Sequence, residues 1–66
     1  MLRSKDNQVV ETGTWLLDST GVYEVTEIRD DFVYLREVVT DEEGDDTYGD
    51  TRRLLPREIR NMLAVF

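Results

Sequence analysis

Gly21-Val22-Tyr23-Glu24-Val25-Thr26-Glu27-Ile28-Arg29-Asp30-Asp31-Phe32-Val33-Tyr34-Leu35-Arg36-Glu37-Val38-Val39 holds two β-rich runs joined by a pair of aspartates. In the first run Val22, Val25 and Ile28 fall at spacing three, which a helix would also satisfy. Gly21, the β-branched and aromatic content and the short length favour a strand with a bulge or bend. The second run, Phe32 to Val39, is the clearer strand. Val33 and Leu35 project to one face, Phe32 and Tyr34 to the other. Asp30-Asp31 is short enough to close the two runs into a β-hairpin. Apolar groups on both faces mean that both faces want cover. The barrel interior can take one face, and a C-terminal helix or a second subunit the other.

Upstream, Thr14-Trp15-Leu16-Leu17 suits a short strand, and Asp18-Ser19-Thr20-Gly21 suits a turn, because Asp and Ser bond nearby backbone. Residues 1–8 are polar and aperiodic and read as a disordered lead-in. Residues 9–66 then form one small domain. Downstream, Thr40 to Asp50 reads as a polar loop, and a further short strand is expected from Thr51 to Leu55. Pro56 suits a first helical position and Glu58 complements the positive end of a helix dipole. Ile59, Met62, Leu63 and Phe66 lie at i, i+3, i+4 and i+7, the stripe of a C-terminal helix, with Arg57, Arg60 and Asn61 on its other side.

The fold class that follows is mainly β: a small bent barrel or antiparallel sheet with a short C-terminal α-helix. Four segments carry a family resemblance: Gly13-Thr14-Trp15-Leu16-Leu17-Asp18, Gly21-Val22-Tyr23-Glu24-Val25, Asp31-Phe32-Val33-Tyr34-Leu35 and Arg53-Leu54-Leu55-Pro56. Their layout over residues 13–56 resembles the SH3-like barrels of the KOW and Tudor type. The resemblance implies binding of a protein, a nucleic acid or a modified side chain. The chain departs from the nucleic-acid binders of that class, because it lacks their basic surface loops.

The 66 residues carry 15 acidic and 8 basic groups, a net charge of −7. Direct nucleic-acid binding and anionic membranes are disfavoured, since both draw on clustered Lys and Arg. Lys5 is the only lysine against seven arginines, and this usage resembles that of proteins from salt-loving microbes. There is no Cys and no His. Thiolate metal sites, disulfides and the usual neutral-pH general base are therefore excluded. No stretch reaches the roughly 18 apolar residues of a membrane span. The expectation is a cytoplasmic chain with no cofactor and no enzymatic activity.

Three features could bind a partner. Asp41, Glu42, Glu43, Asp45, Asp46 and Asp50 crowd the polar loop. They read as a solvated loop, as an imitation of a nucleic-acid backbone for a basic groove, or as oxygens for a hard cation. The last departs from the EF-hand pattern, because Gly44 comes early and no Glu closes the twelfth position from Asp41. Trp15, Tyr23, Phe32 and Tyr34 could line a recognition face or simply fill the core. The third feature is charge asymmetry: residues 1–50 carry −10, and residues 51–66 carry +3 through Arg52, Arg53, Arg57, Arg60 and Glu58. These arginines could pair with the acidic loop or present a basic helix face, in which Arg57 and Arg60 would meet a partner. The expected function is protein–protein recognition through the aromatic sheet face or the helix. The alternatives are an anionic inhibitor or nucleic-acid mimic, and a structural homodimer subunit.

Overall fold

A computed structural model describes residues 1–65. Strands β1 (Trp15–Asp18), β2 (Gly21–Ile28), β3 (Val33–Thr40) and β4 (Asp46–Leu54) run in succession; one helical turn, α1 (Pro56–Ile59), then leads to β5 (Leu63–Val65). They make one antiparallel sheet in the order β4-β3-β2-β1-β5. The mainly β fold with a short helix near the C-terminus is thus as expected.

The β2–β3 hairpin is closed by a bond from the Arg29 amide to the Phe32 carbonyl at 2.8 Å. The bend expected in β2 lies at Thr26, where the pairing with β3 shifts between Val25 and Glu27. In the β1–β2 turn the Asp18 carboxylate accepts the Thr20 amide at 2.8 Å and the Thr20 hydroxyl at 2.5 Å. Its pKa is lowered, first by the hydroxyl and then by the amide.

The polar loop expected over 40–50 is instead a tight hairpin. β3 continues to Thr40, β4 starts at Asp46, and only Asp41 to Asp45 turn. The Asp41 Oδ1 accepts the Glu43 and Asp45 amides, both at 2.9 Å. Gly44 sits at φ +87°, a conformation that costs an L side chain roughly 1–2 kcal/mol. Opposite Glu37, β4 carries an extra residue. A Cβ on Gly49 would lie 2.7 Å from the Glu37 carboxylate and 3.3 Å from its Cβ, so glycine allows the close approach.

The C-terminal helix is a single turn. Glu58 accepts the Leu55 amide at 2.7 Å and anchors its start. Bonds from the Asn61 amide to the Glu58 carbonyl and from the Met62 amide to the Ile59 carbonyl tighten its end. The chain then extends and pairs Leu63, Ala64 and Val65 with Leu17, Leu16 and Trp15. An isolated helix of this length is marginal in water, whereas β1 offers a row of unpaired backbone groups. Ile59 and Met62 reach the core as the stripe requires, but Leu63 is 41% exposed. Phe66 lies outside the described residues.

The N-terminal segment, expected to be disordered, folds back as a small hairpin with an Arg3–Val9 bridge. Its turn passes through Asn7 at φ +62°. The Lys5 amide donates to the Met62 carbonyl at 2.8 Å, and Asp6 accepts the Ala64 amide at 3.3 Å. The hairpin therefore lies along the outer edge of β5. Val10 and Ser4 are buried, and Leu2 packs on the core of Leu16, Tyr23, Val25, Val33, Leu35, Ile59 and Met62.

Candidate protein-interaction face

Strand alternation turns Leu16, Tyr23, Val25, Val33 and Leu35 into the core and leaves their neighbours on the outer face. The registers line these neighbours up in two rows across the sheet. One row runs Val65, Trp15, Glu24, Arg36, Thr51. The other runs Leu63, Leu17, Val22, Val38, Tyr48, and every member is apolar.

The first row is locked by a polar network. Glu24 accepts the Trp15 Nε1 at 3.1 Å and the Arg36 Nε at 2.8 Å. The Arg36 guanidinium then lies 3.5 Å from the centroid of the Tyr48 ring, which joins the two rows. The bond from Arg36, followed by that from Trp15, lowers the Glu24 pKa. A depressed carboxylate contributes stability above its unfolded pKa and loses it as pH falls through the folded value. Glu24→Gln is therefore expected to be less stable at pH 7, with the difference from the parent shrinking below about pH 4. Urea midpoints measured at pH 7 and pH 3 check this, and an unchanged difference would contradict it.

The second row has no such cover. Leu17 is 37%, Leu63 41% and Tyr48 49% exposed, while Val38 between them is buried. Beyond Val38 and Tyr48, Thr40 faces Asp46, and the Thr40 hydroxyl donates to Asp46 at 2.6 Å. The acidic turn follows. One end of the apolar row is thus bordered by Asp41, Glu42, Glu43, Asp45 and Asp46, all exposed. Asp50 stands apart, within the β4 irregularity. Among the described residues no three carboxylates converge as a metal ion requires.

The four sequence-predicted aromatics do not form one site. Tyr23 is core: its ring lies under Arg52, whose Cζ is 4.8 Å from the centroid, and its hydroxyl meets the Thr20 hydroxyl at 2.8 Å. Trp15 and Tyr34 are half-buried on the outer face. Phe32 is half-buried beside the Arg53 guanidinium, at 4.3 Å. Arg57 and Arg60 are exposed on and just after α1. No ion pair links Arg53, Arg57 or Arg60 to the acidic turn among the described residues, and Arg52 approaches Asp18 instead, at 4.0 Å. Sequence reasoning missed the apolar row because its members sit on five strands. The available signal was Leu17 beside Leu16 and Val38 beside Val39, apolar pairs that cannot both face one core.

No described helix is long and apolar enough to cross a membrane. No protein-family model matches the chain, and neither curated proteins nor solved structures give a significant match.

Proposed function

We propose that this chain is a small protein-interaction module whose partner lies on the outer sheet face, over Leu17, Val22, Tyr48 and Leu63 with Trp15 alongside. One observation carries the reading. The interior is closed by Ile59 and Met62, yet an apolar row still crosses the outer sheet face and leaves Leu17, Leu63 and Tyr48 open to water. Exposed apolar patches with a polar border are the usual mark of an interaction surface. The border here is acidic at the β4 end, and the chain carries −7, so the partner that fits is basic as well as apolar. The strand order, with one helical turn between β4 and β5, supports an SH3-like reading of the sheet. The aromatic-face expectation thus narrows to Trp15 and Tyr34, joined by Tyr48. Asp41, Glu42, Glu43, Asp45 and Asp46 gather at one hairpin tip rather than along a ridge, which favours a bordered apolar face over a nucleic-acid mimic.

The test is selection of displayed random peptides on the purified protein. Enriched sequences are expected to combine Lys or Arg with large apolar residues. Leu17→Glu and Tyr48→Ala are each expected to weaken the selected peptides about tenfold or more, as loss of a central contact does. Peptides devoid of basic residues, or indifferent to both substitutions, would overturn the reading.

A further inference from the structure

We infer that the cleft between the N-terminal hairpin and the turn after α1 binds a phosphate monoester group. Arg3, Lys5 and Arg60 line this cleft together with Ser4 and Asn7, around a volume of about 330 Å³. No carboxylate lines it. None of the three cations forms an ion pair among the described residues.

The arrangement is built by the backbone rather than left to chance. The Ser4 amide donates to the Gln8 carbonyl at 2.9 Å and the Asn7 amide to the Ser4 carbonyl at 3.0 Å, which holds the hairpin tight. The bond from the Lys5 amide to Met62 ties the hairpin to the segment that follows Arg60. Asp6, which accepts the Ser4 hydroxyl and the Ala64 amide, does not line the cleft. Arg3 donates through Nη1 to the Asn7 carbonyl at 3.0 Å, which positions its guanidinium beside the turn.

Like charges held together in a concave site repel one another until an anion enters, and such a site concentrates anions. The Arg60 guanidinium, the Lys5 ammonium and the remaining Arg3 N–H groups, whose Nη1 and Nη2 also bond Asn7 and Met1, match a group with two negative charges and three acceptor oxygens better than they match one carboxylate. The acidic turn does not cancel this. It caps the start of β4, while α1 follows its end, and nine strand residues span roughly 25–30 Å. That exceeds the screening length of about 8–10 Å at physiological salt.

The test is an amide-shift titration with inorganic phosphate, with a short phosphoserine peptide and with its glutamate counterpart, all at constant ionic strength. Saturable shifts at Lys5, Asn7 and Arg60 are expected with both phosphate probes. The double variant Arg3→Gln, Arg60→Gln should weaken both about tenfold or more. Melting curves confirm that it remains folded. A phosphopeptide that binds more tightly than free phosphate would mark a modified protein as the source, and equal binding a small phosphorylated compound. Shifts that do not saturate, that persist in the double variant, or that the glutamate peptide reproduces at equal affinity would overturn the inference. Leu17→Glu leaves this cleft intact, so its failure and that of the sheet-face reading are separately visible.

Discussion

Ile59→Ala is expected to unfold much of the protein, and Leu63→Ala to do little. Ile59 is fully buried in the core, supplied by the single turn α1 that closes the open end of the sheet. Truncating such a side chain costs about 2–5 kcal/mol, because the lost transfer energy and the residual cavity add. A chain of this size has only about 3–10 kcal/mol of total stability. Leu63 is paired with Leu17 across β1 and β5 but stands on the outer face, so its loss should cost under about 1 kcal/mol. The contrast separates two readings of the C-terminus. In a continuous helix both residues share one buried stripe and both substitutions cost alike. Urea midpoints for the two variants decide between them: equal large losses would restore the long helix and dismiss β5.

Removing residues 1–10 is expected to lower the melting temperature by roughly 10–20 °C, given about 4–8 °C per kcal/mol for a domain this small. The deletion removes Val10 from the core, strips Leu2 from its flank, and takes the hairpin off the β5 edge where Lys5 and Asp6 bond to the chain. Burying a valine side chain alone is worth about 1.5–3 kcal/mol. A truncated protein that melts with the parent would mean that the hairpin adds nothing, as its polar composition suggests.

The central hairpin was legible in the sequence because its alternation is local. Val33 and Leu35 needed only a period of two to be placed inside, and the imperfect spacing of Val22, Val25 and Ile28 already signalled the bulge at Thr26. The C-terminus was legible in part. Ile59 and Met62 satisfy a helix and a turn equally, so the pattern could not show that Leu63 to Val65 would fill the β1 edge. The N-terminal hairpin left less trace, since backbone bonds to Met62 and a buried serine have no hydrophobic period. The acidic segment misled for another reason: Asp41 and Gly44 are turn residues, and the turn they make is short enough for β4 to begin at Asp46. The apolar row was hidden most deeply, because it exists only once five strands are in register.

The most direct test of the sheet-face account is hydroxyl-radical footprinting of the protein with and without a peptide selected on it. Free protein should be oxidised readily at Leu17, Tyr48 and Leu63 and resist at Tyr23. Bound peptide should protect the first three and leave Phe32 unchanged. Protection at Arg57 and Arg60, or along Asp41 to Asp45 alone, with Leu17 and Tyr48 still reactive, would place the partner elsewhere and contradict the account.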